Sequence, residues 1–321
     1  MKSGPNRLRH AATLASLGLL AFGITPASAQ LPVAESSTPA DQRLAEALCE
    51  PDGAESSART VPGKDIAAHP KSVNHVSPAR ARRIEAAKRA TLRRKGLTNA
   101  TVGNVTIPVH FHVITDGRGN GQLTNRQLTR QIDVLNATFG GRESGAAAET
   151  SFSFRMASVQ RIENPRWFTR ANSQMMHRTH RGGMDELNIW TVGFGYLGIA
   201  QFPWSGSKSS DGIRVHWDSF PGGSIENFNL GKTATHEAGH WLGLYHTFQG
   251  GCAGKGDYVE DTPAMRQPTS GCPQGKDTCL AEGLDPIHNY MDYSHDDCYN
   301  QFTPGQSERM SDTWLAYRAG G

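Results

Sequence analysis

The chain has 321 residues, enough for one large domain and an accessory segment. Its formal net charge of +3 combines a basic and an acidic part. Residues 1–95 contain 15 Lys and Arg against 8 Asp and Glu, whereas residues 96–321 contain 18 against 22. Beyond the N-terminal region no apolar stretch approaches the length needed to cross a bilayer, which excludes a membrane-spanning protein.

Residues 1–29 have the pattern of a secretory signal peptide. A basic start is followed by an apolar run over residues 11–24, and Ala27-Ser28-Ala29 supplies the small residues needed for cleavage. The apolar run is too short to be a spanning helix. We therefore expect a secreted, monomeric protein without a membrane anchor, and nucleic acid is not an expected partner of an exported chain.

Residues 30–95 are predicted to be a pro-segment. They contain no Phe, Tyr or Trp, and between residues 80 and 95 eight Lys and Arg face only Glu85. Such a charge run is usually a solvated helix or tail. We predict that its basic end is a processing site, with self-cleavage immediately before Arg93 or Arg94.

The main domain is predicted to begin at residue 96. Alternating apolar residues predict a strand over residues 105–113. Thr124 opens a capping box, and apolar residues at helical spacing from Leu128 to Phe139 predict an amphipathic helix that packs on the sheet. Further strands are predicted over residues 152–156, 187–192 and 213–217. This mixture indicates an α/β domain.

A metal-binding motif follows, with the sequence His-Glu-Ala-Gly-His-Trp-Leu-Gly-Leu-Tyr-His over residues 236–246. On a helix, His236 and His240 project from one face, and neutral imidazole is a good zinc ligand. Gly243 can end the helix, so that the chain turns back and delivers His246 as a third ligand. Three protein ligands leave one position open, which is typical of catalytic zinc sites. Glu237, beside the ligands, is the predicted general base.

Three further blocks extend this pattern, namely residues 256–263, 289–293 and 302–310. Residues 289–293 resemble the Met-turn that underlies the zinc in metzincins. Together, the four blocks resemble the pappalysin family of metzincin zinc metalloproteases, in its bacterial ulilysin-like branch. The resemblance covers the C-terminal third densely and residues 97–230 only loosely.

The resemblance implies an α/β (α+β) metzincin-type fold. A twisted mixed sheet would pack on a backing helix and an active-site helix in an N-terminal subdomain over residues 96–246. Residues 247–321 would form an irregular C-terminal subdomain with the Met-turn and a terminal helix. The implied activity is hydrolysis of peptide bonds in protein or peptide substrates by a secreted zinc endopeptidase, made as a zymogen.

The resemblance also implies roles for single residues. Met291 would be a packing base beneath the zinc, and Tyr293 would assist the oxyanion. Residues 197–204 and 211–217 would line the substrate groove. Nine acidic residues lie between residues 257 and 297, where an ordinary solvated surface is the alternative to a calcium site. The family carries calcium here, which points to Asp257 and Thr262 as partial ligands.

Five cysteines leave one unpaired if the other four form bridges. Cys252, Cys272, Cys279 and Cys298 allow three pairings, of which the resemblance implies Cys252 with Cys279 and Cys272 with Cys298. Cys49 is then the odd cysteine. It is either an incidental or intermolecular thiol, or a thiolate that fills the open zinc position and keeps a precursor latent.

Specificity is predicted from the segment after the Met-turn. In metzincins the pocket for the residue just after the scissile bond lies there, and a fixed carboxylate at its floor favours arginine. Asp297 is the first candidate and Asp296 the second; alternatively, both are solvated or cap a helix. Related ulilysin-like enzymes cut before arginine.

Two other functions compete with this interpretation. Another metzincin family is one, and the Asp-Tyr-Val-Glu-Asp-Thr-Pro block over residues 257–263 argues against it. A catalytically idle adhesin or binding module on the same scaffold is the other. The presence of Glu237 and of all three histidines argues against an idle module.

Overall fold

The computed structural model describes residues 58–62 and 76–320. The predicted signal peptide and Cys49 therefore lie outside the described residues. Six strands form one mixed sheet: β1 (Ala58–Thr60), β2 (Val105–Thr115), β3 (Phe152–Glu163), β4 (Leu187–Val192), β5 (Tyr196–Ala200) and β6 (Ile213–His216). Their order is β1-β5-β6-β4-β2-β3. Strands β2, β3, β4 and β6 are parallel, whereas β5 runs antiparallel to both neighbours, β1 and β6.

Six α-helices surround the sheet in the described part of the chain: α1 (Pro78–Arg94), α2 (Asn125–Phe139), α3 (Pro165–Arg170), α4 (Ser173–Thr179), α5 (Lys232–Trp241) and α6 (Pro304–Thr313). A π-helical turn, Trp314–Arg318, continues α6. The capping box predicted at Thr124 is present at the start of α2. Among the described helices, none combines the length and apolar character that a membrane span requires.

The main core lies between one face of the sheet and two helices, α2 and α5. Alternate residues of β2 are buried in it, because successive side chains of a strand point to opposite faces. They meet apolar residues of both helices, and the cluster includes Ile107, Val109, Phe111, Val113, Leu128, Leu135, Phe139, Ala234, Ala238 and Trp241. Helix α5, which carries the zinc motif, is therefore anchored to the sheet along its apolar side.

Helix α1 lies before the predicted boundary at residue 95 and packs against the rest of the domain. It buries Ile84 and Leu92, and Glu85 accepts a hydrogen bond from Arg309 of α6 at 2.6 Å, with both side chains buried. Burial alone would raise the pKa of Glu85, but the positive charges of Arg309 and Lys88 hold it below its ordinary value. Helix α1 thus packs as part of the main domain and is not a solvated tail.

The predicted cleavage site before Arg93 or Arg94 lies within this packed helix. Both residues belong to the last turn of α1, and the next residue, Lys95, donates hydrogen bonds to the carbonyls of Leu315 and Ala316. A peptide that adds to a sheet edge must be extended. Cleavage there is therefore disfavoured, because this backbone is helical and anchored.

The end of the chain is fastened to the end of helix α5. Arg318 is fully buried, lies 2.9 Å from the carboxylate of Asp211 and donates a hydrogen bond to the carbonyl of Trp241. The indole N–H of Trp241 donates to the same carboxylate at 2.8 Å. Removing one partner of a buried ion pair costs about 3–5 kcal/mol because it leaves an uncompensated buried charge, so these contacts tie the C-terminal end of α5 to residue 318.

Two disulfides join the irregular segment between α5 and α6. They link Cys252 with Cys279 and Cys272 with Cys298, which is the pairing that the resemblance implies. Cys272 and Cys298 also lie beside His288. Because their sulfurs are bonded to each other, they provide no thiolate for a metal there. The bridges hold a segment with few apolar residues against the Met-turn.

Candidate active site

Three imidazoles meet at helix α5 and the turn that follows it. The Nε2 atom of His240 lies 3.1 Å from those of His236 and His246, which are 3.3 Å from each other. A zinc ion with Zn–N bonds of about 2.0–2.1 Å holds tetrahedral ligands about 3.3–3.4 Å apart. The three buried side chains therefore fit one face of a zinc coordination shell.

Backbone carbonyls orient two of these ligands. Nδ1 of His236 lies 2.6 Å from the carbonyl oxygen of Tyr290, and Nδ1 of His240 lies 2.7 Å from that of Leu244. Since a carbonyl only accepts, each Nδ1 carries the proton and each Nε2 keeps a lone pair for a metal. Burial lowers the pKa of His240 to about 3 and holds that of His236 well below its ordinary value, so both rings are neutral.

Met291 lies beneath helix α5. It is fully buried, and a Cβ on Gly239 would stand 2.5 Å from its sulfur. The glycine between the two helical ligands thus leaves room for the methionine. The carbonyl of Met291 accepts a hydrogen bond from the N–H of Thr247, so the Met-turn also holds the residue that follows His246.

Glu237 faces strand β5. The glutamate is buried, and a Cβ on Gly198 would stand 2.5 Å from both its Cγ and its Oε1. Strand β5 therefore passes directly over the carboxylate, and glycine permits this close approach. Of the two predicted groove-lining segments, residues 197–204 include β5, which the sequence pattern did not indicate as a strand. Residues 211–217 include β6, which lies between β5 and β4 inside the sheet.

Tyr293 lies beside the metal ligands. Its ring centroid is 4.9 Å from that of His246 and 5.6 Å from that of His236. Burial raises the pKa of its hydroxyl, and the negative charge of Glu237 adds to this effect. The hydroxyl is therefore protonated at neutral pH and able to donate a hydrogen bond.

Arg59 of β1 occupies a pocket beside the Met-turn, and no sequence pattern had indicated it. Its guanidinium donates to the carbonyl of Ser294 at 2.9 Å and to the hydroxyl of Tyr299 at 3.2 Å. The same group lies 4.3 Å from the ring centroid of Phe228 and 5.3 Å from that of Tyr293, within the range of cation–π attraction. The pocket therefore holds an arginine side chain by polar and aromatic contacts together.

The backbone around Arg59 extends the sheet across the site. Arg59 pairs with Gly198 and Ala58 with Ile199, in antiparallel register. Gly198 thus pairs with Arg59 along the edge of β5 and lies against Glu237 on its face. This part of the predicted pro-segment thus lies on β5 as an added strand.

Of the two carboxylates predicted at the pocket floor, Asp296 is the buried one, at 1% exposure. Its Oδ2 accepts hydrogen bonds from the N–H groups of Leu230 and Lys232, at the start of α5, whereas its Oδ1 has no hydrogen-bond partner among the described residues. Burial raises the pKa of Asp296 to about 6, against the opposing charge of Arg59. Asp297, the first candidate, is exposed, so its side chain does not form the floor of a buried pocket.

The predicted calcium ligands also lie together. The hydroxyl of Thr262 donates to both carboxylate oxygens of Asp257, at 2.8 and 2.9 Å, and lies 2.9 Å from the carbonyl of Val259. Burial raises the pKa of Asp257 to about 7, with the hydrogen bond from Thr262 opposing it. Carboxylate, hydroxyl and carbonyl oxygens are the donors that calcium prefers.

Several other acidic residues of this region have structural partners instead. Asp261 accepts from the N–H of Gly305 at the start of α6, and Asp285 lies 3.3 Å from Lys276. Asp292 accepts from the N–H of Thr269. The acidic composition therefore reflects local hydrogen bonding in part.

Known proteins resemble this chain over most of its described length. Residues 193–314 match a peptidase family model described as pregnancy-associated plasma protein-A. An extracellular metalloprotease of Verticillium alfalfae is 44% identical over 78% of this chain and 89% of its own length. An extracellular metalloprotease of Arthroderma benhamiae is 43% identical over 71% and 78%.

Solved structures show the same fold. A promirolysin mutant of Tannerella forsythia has a TM-score of 0.61 at 26% identity, covering 74% of this chain and 90% of that chain. Mature mirolysin of the same organism, in complex with a cleaved peptide, has a TM-score of 0.58 at 28% identity, covering 68% and 97%. The predicted α/β metzincin-type fold is confirmed.

The mixed sheet, the histidine cluster and the glutamate beside it define a zinc metalloprotease of the metzincin type. The sequence identity to extracellular metalloproteases over more than two thirds of the chain identifies the family within this class. The chain belongs to the pappalysin family of extracellular metalloproteases.

Proposed function

We propose that this chain is a zinc endopeptidase that is exported with a signal peptide, made as a zymogen, and cuts proteins before arginine. The observation that carries the proposal is the set of three buried Nε2 atoms 3.1–3.3 Å apart, next to Glu237 and strand β5. A bound zinc supplies a Lewis acid that polarises the peptide carbonyl and activates water. The substrate is an extended protein segment whose backbone pairs with β5.

Within this site, Glu237 is the general base. Its carboxylate lies against Gly198 of β5, the strand on which the substrate would pair, so it can take the proton of the attacking water and pass it to the leaving amine. Tyr293, beside the ligands, donates a hydrogen bond to the carbonyl oxygen as negative charge develops. His236, His240 and His246 hold the metal.

The proposed preference for arginine after the scissile bond is supported by the pocket that holds Arg59. The pocket combines aromatic faces, a carbonyl acceptor and the nearby buried carboxylate of Asp296, whose Oδ1 has no hydrogen-bond partner among the described residues. An arginine can satisfy such a set by charge and by directed hydrogen bonds at once. We therefore assign the pocket floor to Asp296 in place of Asp297.

Latency is the second part of the proposal. Residues 58–61 cover β5 and Arg59 fills the pocket, so an incoming substrate meets an occupied groove. The thiolate of Cys49, outside the described residues, would fill the open metal position in the same precursor. The pro-segment then ends before α1, and the catalytic domain comprises a sheet subdomain up to residue 246 and an irregular subdomain over residues 247–321.

A calcium ion at Asp257 and Thr262 completes the proposal. These groups and the carbonyl of Val259 converge within the irregular segment, next to the chain that follows the zinc ligands. The ion would replace the internal hydrogen bond of Thr262 as the partner of the buried carboxylate. Its removal with a calcium-selective chelator is expected to lower thermal stability while zinc stays bound.

The experiment that tests the proposal is sequencing of the products from an unbiased peptide mixture. Wild-type enzyme is expected to cut before arginine, and Asp296→Asn, which keeps a hydrogen-bond acceptor at the helix start, is expected to lose that preference. Asp297→Asn is the matched control and should keep it. A preference for large apolar residues after the cut, unchanged in both variants, would contradict the arginine assignment, and absence of any cleavage would favour an idle binding module.

A further inference from the structure

Besides the half-buried Arg59, the strand that lies on β5 presents a buried side chain. Val61 is two residues after Arg59 and is 7% exposed, whereas Thr60 between them is exposed. Residues i and i+2 of an extended strand face the same side. The groove thus receives two side chains of this strand, and only the first is an arginine.

Val61 belongs to a small apolar cluster. Leu197 and Phe228 are buried with it in one cluster, and Ile225 packs against that cluster. Leu197 precedes Gly198 on β5, while the other two lie in the loop before α5. Val61 therefore lies in a small apolar subsite that is built from β5 and this loop.

The backbone fixes the distance between the two side chains. The N–H of Val61 donates to the carbonyl of Gly195 at 3.0 Å. Between Arg59 and Thr60 the register with β5 shifts by one residue, because Arg59 pairs with Gly198 and Thr60 with Tyr196. Phe228 contributes to both positions, because its ring lies 4.3 Å from the guanidinium carbon of Arg59 and belongs to the cluster around Val61. The positions that receive Arg59 and Val61 are thus adjacent and share one aromatic residue.

We propose that Leu197, Ile225 and Phe228 form a second specificity subsite, which takes an apolar side chain two residues after the arginine of a substrate. The inference rests on the proposed preference for arginine after the scissile bond, since Arg59 marks that pocket. The recognised substrates are extended protein segments of the pattern arginine, any residue, apolar residue. The chain's own segment, Arg59-Thr60-Val61, has this pattern.

The test uses processed enzyme and synthetic peptides based on residues 56–62, Ser-Ser-Ala-Arg-Thr-Val-Pro. Since an apolar pocket discriminates against missing methyl groups by about 10- to 200-fold, Val61→Ser in the peptide is expected to lower kcat/KM about tenfold or more. Thr60→Ser, at the exposed position, should leave kcat/KM nearly unchanged. A third peptide, with the valine moved to two residues before the arginine, tests the direction of binding.

Enzyme variants test the subsite itself. Ile225→Ser, which makes the subsite polar and leaves in place every side chain that contacts Arg59, is expected to remove the preference for valine over serine. Leu280→Ser, at a fully exposed leucine outside the cluster, should retain it. The peptide comparison with wild-type enzyme stands alone if Ile225→Ser does not fold.

The outcomes separate this inference from the proposed function. Cleavage before arginine at equal rates for valine and serine peptides would overturn the second subsite and leave the arginine preference intact. An apolar preference two residues before the arginine would overturn it too, because substrates would then run opposite to residues 58–61. Cleavage that ignores arginine would overturn both.

Discussion

Gly198 of strand β5 lies directly against Glu237, so close that a Cβ on residue 198 would stand 2.5 Å from the Cγ and the Oε1 of the glutamate. The same glycine pairs with Arg59 of the added strand. Gly198 therefore determines both where the Glu237 carboxylate lies and where an extended backbone pairs with β5.

This contact predicts the effect of Gly198→Ala. The added methyl group must displace the Glu237 side chain, so turnover is expected to fall by about tenfold or more, in line with the sensitivity of catalysis to small displacements. Zinc content should not change, because no ligand is touched. Gly145→Ala, where an added Cβ meets nothing within 4 Å, is the control and should have wild-type activity. Equal rates for both variants would contradict the contact.

Removal of the Tyr293 hydroxyl tests its proposed role. Tyr293→Phe keeps the ring against His246 but loses the donor, so kcat is expected to fall about 10- to 100-fold with little change in KM or zinc content. Tyr317→Phe, whose ring lies beside Trp204, is the control. An unchanged kcat in Tyr293→Phe would show that the tyrosine is only a packing residue.

If residues 58–61 keep the precursor latent, removing the Arg59 side chain that holds them in the groove should make the precursor more active. Arg59→Ala loses two hydrogen bonds and the contact with Phe228, so freshly purified precursor should hydrolyse peptides faster than wild type. Cys49→Ala should also raise this initial rate, because it removes the proposed zinc-bound thiolate. Arg83→Ala, at an exposed arginine of α1, is the control. Equal initial rates in all four precursors, with zinc present, would rule out both devices.

The packing of helix α1 predicts a pH-dependent stability. Glu85→Gln removes the charge that faces Arg309, which should lower the free energy of unfolding by about 2 kcal/mol at neutral pH. Since the pKa of Glu85 in the folded protein lies below its ordinary value of 4.5, the wild-type advantage is fully present above that value. It should shrink as the pH falls below 4.5 and vanish once the folded carboxyl is protonated. Unfolding by denaturant at several pH values measures this, and equal stability at pH 7 would contradict a structural role for α1.

The zinc site was predictable because its signal is local. Fixed spacing within residues 236–246 places two imidazoles on one helix face and returns the third. The alternation in β2 and the capping box at Thr124 are local signals in the same sense. Each of these signals depends on residues that are close together along the chain. Residue types and their spacing are therefore sufficient to recognise them.

Other features depend on contacts between distant parts of the chain. The basic face of α1 resembles a solvated tail, but Glu85 is buried by Arg309, which lies 224 positions further along the chain. Arg59 reaches Ser294 over 235 positions. Which of Asp296 and Asp297 turns inward depends on the backbone of an irregular turn, and their one-residue spacing could not decide it.

The central claim is that Glu237 performs proton transfer at a zinc ion held by three histidines. The most direct measurement compares zinc content and hydrolysis of a denatured protein for wild-type enzyme and Glu237→Ala. We predict one zinc per chain in both, with turnover in the variant reduced by at least about a hundredfold. Near-normal hydrolysis by zinc-loaded Glu237→Ala would contradict the account, as would a wild-type protein that binds no zinc and still cleaves.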